Sequence, residues 1–592
     1  MKTKKTKAKG KKKGKKKLSD QEKEQKREQD QQAREIRTLM TNIGFSRVPG
    51  IDGKHFTYDS RESEIDDIFY YENIFVLTEY TIGDPGIHLK EKKIIYDKIN
   101  LNPANFFKFL LTEDKFKSLK QVFESVTSNK YTANQLQIRI LYASKRKVVN
   151  EHKVLVTNIH YFDYPVVKYF VSIAKIIKKS TKHEFFDFLG IDFSKIGDNI
   201  KQASKSTVDE FSGHILPEEH SSFKEGYKIV SFYIDAESLI KRAYVLRRDG
   251  WRNKDNIGFY QRMFVAQKIK SMRKYLHDEK RVFINNIITT LPINEIRILD
   301  EGGSELSIDN KGNFTNPGIT RVQPATIKIS SKANIIGIID GQHRTYSYHE
   351  GDDVYEKSIA GLRGIQNLLI TGILYPKDEP EEKRIKFEAK LFLEINSNQS
   401  GASPQLKYEI EFMMNPFSTA SISKYIISKL NESGPLGGLF EEYWFEKSKL
   451  KTTTIISFGL KPLVKFEGVD SLFSFWVKKN KEDLKKKKDD YKLLDEYRAF
   501  CVEQIRNIFI GLKANIDNEN WKVNRVAGNT ILSVTTINGV INCLRILIEN
   551  KKHGDIELYK SKFADVSNFP FKGYKSSHYR KMGEDLYEKY FK

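Results

Sequence analysis

The stretch Ile335-Ile-Gly-Ile-Ile-Asp-Gly-Gln-His-Arg344 decides how the rear half of this 592-residue chain is read. Ile335, Ile336, Ile338 and Ile339 form a short apolar run suited to a buried strand. Asp340-Gly341 is a turn signal, and residues 342–350 read as a helix that stops at Gly351. A strand, a tight turn and a helix bring backbone N–H groups and the positive end of a helix dipole to one point, which suits a phosphate. Asp340, Gly341, Gln342, His343 and Arg344 are therefore candidate phosphate- or nucleotide-binding residues. The competing reading is structural: Asp340 caps the helix and Arg344 pairs with a core carboxylate.

Working outward, Tyr260-Gln261-Arg262 opens a helix expected to run to Leu276. Strands are expected at Tyr227–Ile234 and near 284–290, 324–330, 335–339 and 368–374. A helical stretch, 380–394, leads to Asn396, Asn398 and Gln399. Gln261, Arg262, Asn396, Asn398 and Gln399 join the list of candidate phosphate or nucleotide contacts. The pentapeptide resembles the motif of the DGQHR-domain proteins, including the DndB-type proteins of DNA-modification loci. These in turn are similar to the ParB/sulfiredoxin fold, where a Gly-x-x-Arg turn opens a phosphate-binding helix. The resemblance covers residues 225–545. It implies an α+β domain that handles a nucleotide, such as a nucleoside triphosphate, or DNA phosphates, with DNA-modification proteins as partners.

The front half carries a second pattern. Residues 64–82 read as a hairpin turning near Glu72-Asn73. Strict alternation would set Glu64 and Asp66 on one strand face, and Glu79 and Thr81 on one face of the next strand. Carboxylates on adjacent strands suit a divalent metal that activates water at a phosphodiester. The pattern resembles the PD-(D/E)xK nuclease core, which implies Glu64, Asp66 and Glu79 as Mg²⁺ ligands, with Asp66 and Glu79 catalytic. Thr81 stands where that family usually has lysine. Lys90, Lys92 and Lys93 on the following helix are placed to supply it, and Lys92 and Lys93 are the catalytic candidates. The bland alternatives are a nuclease fold without a metal, or acidic residues on the wet face of an unrelated hairpin.

Composition sets the frame. The net charge is +24, and eleven of the lysines lie in the first 17 residues, which contain no acid. Such a tail cannot bury enough apolar surface to fold and reads as an arm for nucleic-acid phosphates, or else as a solubility tail. Two cysteines, Cys501 and Cys543, cannot build a disulfide framework and fit a cytoplasmic protein. No P-loop, Gly-x-Ser-x-Gly elbow or zinc spacing occurs, and Val166–Ile177 is too short and charged to span a membrane. The expected fold is α/β: a tail and charged helix over 1–43, a restriction-endonuclease-like domain over 44–180, and a linker over 181–225. A ParB-like DGQHR domain follows over 226–415, with a mostly helical extension over 416–592. The resemblances imply a DNA-associated protein of a prokaryotic modification or defence system, either a Mg²⁺-dependent nuclease or a non-enzymatic regulator.

Overall fold

The turn at Glu72-Asn73 organises the front half. Glu72 adopts a left-handed φ of +49°. Asn73 is fully buried. Its amide donates to the carbonyls of Gln135 (2.5 Å) and Lys195 (2.9 Å) and accepts from the Gly197 N–H (2.9 Å). A buried amide satisfied from three segments fixes the turn, because leaving any of its groups unpaired would cost about 1–3 kcal/mol. This computed structural model describes residues 19–127, 130–197, 199–202, 208–217, 223–246, 263–315, 321–330, 332–397, 411, 414–443, 445–486, 488–523 and 530–592. The lysine tail, Gln261, Arg262, Asn398 and Gln399 lie outside them. So does most of the helix expected at 406–414.

The molecule is mixed α and β. In the front half, strands β1 (Ser46–Arg47), β4 (Asp67–Tyr71), β5 (Ile74–Thr81), β6 (Gln137–Ser144) and β7 (His160–Asp163) form one sheet in that order. The β1–β4 and β4–β5 pairs are antiparallel, and β5–β6 and β6–β7 are parallel. Strands β2 (Lys54–Tyr58) and β3 (Arg61–Ile65) make a separate hairpin. One sheet face packs on helices Asp20–Asn42 and Tyr164–Ile177 through Ile36, Leu39, Phe162, Phe170 and their neighbours. The other packs on helices Pro85–Leu101 and Pro103–Thr112, with Phe56 and Ile65 of the hairpin. Both of those helices start on a capping residue followed by proline. The Asp84 carboxylate accepts from Gly86 and Ile87, and the Asn102 side chain from Asn105.

In the rear half, β8 (Val208–Ile215), β9 (Lys228–Asp235), β10 (Ala243–Tyr244), β11 (Ile287–Pro292), β12 (Ile296–Leu299), β13 (Gln323–Ser330), β14 (Ile336–Asp340) and β15 (Asn367–Tyr375) form one sheet. Its order is β10-β14-β11-β15-β9-β8-β13-β12. The helices after residue 415 enclose a core of their own, centred on helices Tyr491–Lys513 and Val534–Glu549. Among the described residues no helix is long and apolar enough to cross a membrane.

Three expectations need correction. The described parts of segment 181–225 do not form a linker. Helix Thr181–Phe188 buries Phe185 and Phe186 against the front sheet, and β8 pairs with both β13 and β9. Its Ser, Gly and charge hid the strand, because pairing on both sides overrides weak local propensity. The strand expected at Lys153–Thr157 is absent; Asn150–Lys153 is a helical turn and the strand comes later, at β7. The helix after Gly341 covers only Gln342–Tyr346, shorter than the expected 342–350.

Candidate functional site

Strand alternation on β5 sends Glu79 and Thr81 to the face covered by helix Pro85–Leu101. That helix carries His88, Lys92 and Tyr96 at four-residue spacing, which aligns them on one side. All three reach Glu79. The Lys92 ammonium lies 2.7 Å from Glu79 Oε1, the His88 Nε2 3.2 Å from it, and the Tyr96 hydroxyl donates to Oε2 at 2.5 Å. The Lys92 ammonium also donates to Ser63 Oγ at 3.1 Å. The chain of contacts continues from His88 Nδ1 to the Tyr142 hydroxyl (3.2 Å) and from Tyr142 to Thr81. Burial alone would push the Glu79 carboxyl up. The His88 hydrogen bond, the Lys92 charge and the Tyr96 hydroxyl outweigh it and hold the carboxyl below its ordinary value. A cavity of about 20 Å³ borders Glu79, Ser63 and Tyr96, room for a single water.

Asp66 sits at the break between β3 and β4. Its Oδ2 accepts from the Tyr80 N–H at 2.7 Å. Burial pushes its carboxyl up to about 6, against that hydrogen bond and with help from the nearby charges of Glu64, Glu79 and Asp67. Two neighbouring carboxylates are thus tuned in opposite directions. Asp66 takes up its proton already in mildly acidic solution, and Glu79 is kept ionised.

The other front candidates lie elsewhere. Glu64 was expected to share a face with Asp66, but the strand ends at Ile65 and the alternation does not carry across. Glu64 faces His55 instead, at 3.5 Å. Lys93 falls a third of a turn beyond Lys92 and pairs with Asp97 at the surface (2.8 Å). Lys90 is exposed. Among the described residues, no group of three or more His, Cys, Asp and Glu side chains is arranged to hold a metal ion.

The rear motif forms the expected strand, turn and helix start. Gly341 has φ +99°, which favours glycine, and a Cβ there would also crowd Arg344 Nη2 at 3.1 Å and Ile287 Cγ2 at 3.2 Å. Arg344 turns back on the motif. Its Nη2 donates to Asp340 Oδ2 at 2.8 Å and to the Asn286 carbonyl at 2.9 Å. Asp340 therefore spends its carboxylate on Arg344, and no side-chain cap marks the helix. His343 Nε2 accepts from the Val265 N–H at 3.0 Å, and Gln342 is buried. Asn396 lies in helix Glu381–Ser397.

Behind the motif is a network that the sequence did not announce. Arg273, 1% exposed, donates to the carbonyls of Ser347 (3.0 Å) and His349 (2.9 Å) and pairs with Asp353 (2.7 Å) and Glu356 (2.8 Å). Arg363 binds the Tyr348 and His349 carbonyls from the other side. These bonds satisfy the backbone where the short helix ends. Sequence reading missed Arg273; the one signal that could have found it is an arginine on the inner face of a helix, since its carboxylate partners lie 80 and 83 residues on. The chain matches no protein-family profile, no curated protein and no solved structure.

Proposed function

We propose that the chain is a DNA-associated protein of a prokaryotic DNA-modification or defence system, with a nuclease-like front module that cleaves DNA using a divalent metal held by Asp66 and Glu79. The observation that carries this reading is the Lys92 ammonium 2.7 Å from Glu79. The resemblance asks for a lysine beside that carboxylate, and Thr81 cannot supply it. The antiparallel β4–β5 pair, followed by helices and a parallel β6, is in keeping with the same fold.

Asp66 and Glu79 offer hard oxygen donors, and Mg²⁺ is commonly held by one or two carboxylates while keeping several waters. The Asp66 carboxyl, raised by burial and further by neighbouring carboxylates, is what a nearby cation would relieve. When bound, such an ion would supply charge neutralisation and an acidified water. Lys92 offers positive charge to the phosphodiester, and His88 and Tyr96 orient Glu79. The test compares wild type with Asp66→Ala and Glu79→Ala on linear, supercoiled and modified DNA with Mg²⁺ or Mn²⁺. Cleavage by wild type that both variants lose supports the reading. Wild type that binds DNA and cuts none of these substrates sinks it.

The second reading is a non-enzymatic regulator of the DndB type with a degenerate nuclease fold. Glu79 favours it: buried and already compensated by three partners, it needs no cation. In either reading the segment Asp340–Arg344 is the proposed seat for a nucleotide or for DNA phosphates. A nucleoside triphosphate that used Arg344 would first have to part it from Asp340.

A further inference from the structure

On the sheet face opposite Glu79, two guanidinium groups share one exposed oxygen. Arg37, on helix Asp20–Asn42, donates its Nε to Asp67 Oδ2 at 2.7 Å. Arg47, on β1, donates its Nε to the other oxygen of Asp67. Asp67 is fully buried and also accepts from the Tyr80 hydroxyl at 2.6 Å. Each arginine is thereby fixed by its inner nitrogen, with Nη2 directed outward. Both Nη2 atoms donate to a single atom, Asp52 Oδ1, at 2.6 and 2.7 Å. The Asp52 side chain is 64% exposed, while those of Arg37 and Arg47 are only 31% and 29% exposed.

The two halves of this cluster differ in purpose. Asp67 needs both arginines, because an unpaired buried carboxylate is prohibitively costly. Asp52 does not need to be there for the fold, since ion pairs of exposed groups contribute little. Two rigid forks converging on one oxygen match the way arginines hold a phosphate oxyanion. With Asp52 in place the cluster is neutral; with Asp52 swung away, one uncompensated positive charge faces solvent. Asp52 sits on a short loop between Gly50 and Gly53, whose φ values are +68° and +65°. That loop reaches across the strand end, where a Cβ on Gly53 would stand 3.8 Å from Asp66 Oδ1. The seat therefore adjoins Asp66 through the next residue in the chain.

We infer that Arg37 and Arg47 form a phosphate seat that Asp52 occupies as an internal stand-in, to be displaced by a phosphate oxyanion of DNA or of a free phosphate compound. The assignment of DNA as its source rests on the function proposed above; the seat itself does not.

The experiment uses the full chain in EDTA, so that binding is read without cleavage and a failed nuclease reading leaves it intact. Fluorescence polarisation follows labelled single- and double-stranded oligonucleotides binding to wild type, Asp52→Asn, Asp52→Ser and the Asp52→Asn/Arg47→Lys double variant. Losing the competing carboxylate should tighten binding about three- to tenfold, the scale of one or two exposed ion pairs. It should also steepen the log–log salt dependence by about 0.9, one added phosphate contact. Arg47→Lys should cancel the gain, because a lysine cannot hold Asp67 and an anion together. Parallel titrations with inorganic phosphate and a mononucleotide separate the sources: a gain confined to them assigns a small-anion seat, and a gain with oligonucleotides assigns the DNA backbone. Unchanged affinity for every ligand in both Asp52 variants overturns the proposal. Should those variants fail to fold, wild type decides by NMR of selectively labelled aspartate. A ligand-induced shift of the Asp52 carboxylate signal supports displacement, and an unchanged signal with ligand bound refutes it.

Discussion

Asp66→Asn should stabilise the front sheet at neutral pH and do much less in acid. The wild-type carboxyl is raised from 3.8 to about 6 on folding. A raised carboxyl means that folding favours the protonated form. The associated stability is full below the unfolded value and is lost as pH rises through the folded one. Raising it that far corresponds to about 3 kcal/mol at pH 7.5, where both states are ionised, and to about 1 kcal/mol at pH 4.5. Asparagine keeps an oxygen for the Tyr80 N–H and removes the charge, so it recovers that cost. The readout is hydrogen exchange of β4 and β5 amides, comparing variant with wild type at matched pH. Protection should rise by about two decades at pH 7.5 and by less than one at pH 4.5. Equal effects at both pH values, or destabilisation at pH 7.5, would refute the account of Asp66 as a carboxylate strained by burial and its neighbours.

Lys92→Met should cost about 3–5 kcal/mol, since it strips the ammonium from a buried carboxylate, while Lys93→Met should stay within about 0.5 kcal/mol; thermal melts of the two compare them directly. Arg344→Ala should lower stability by about 1–3 kcal/mol by unpairing Asp340 and the Asn286 carbonyl, and a full-strength melt with lost nucleotide binding would restore the anion reading of the motif. Deleting residues 2–17 should weaken DNA binding uniformly across sequences and flatten its salt dependence, and an unchanged slope would leave the tail a solubility feature.

Much of this architecture was readable because short-range rules were obeyed. The Glu72-Asn73 turn, the Asn102-Pro103 helix start and the isoleucine run of β14 each carry their signal within a few residues, whereas the preceding helix, expected from His88, starts a turn earlier at Pro85 behind its Asp84 cap. The four-residue spacing of His88, Lys92 and Tyr96 was also on the page, and separates Lys92 from Lys93 by geometry alone. What escaped was non-local. Whether Glu64 shares a face with Asp66 depends on β3 pairing with β2 and not with β5. Whether Arg344 is available depends on a carbonyl at Asn286, 58 residues upstream. The role of Asp67 was hidden in plain sight beside Asp66, because its arginines come from a helix and a strand 30 and 20 residues earlier. The strand Val208–Ile215 has no strong pattern of its own and is held by two neighbours.

Glu350, the last residue before Gly351, ties the rear half to the front one. Its carboxylate pairs with Lys182 at 2.6 Å, its N–H donates to Ser180 Oγ at 2.9 Å, and its carbonyl accepts from the Lys179 N–H at 3.2 Å. One apolar cluster runs from Ile36 through Phe185 to Leu374 beneath this junction. The two halves are thus bolted at a point a few residues from Arg344 and next to the Arg273 clasp. Splitting the gene at residue 180 would not yield two autonomous fragments, because each would expose a hydrophobic wound that the other normally dresses. Co-expressed, the fragments should find one another and reassemble; expressed singly, each should aggregate.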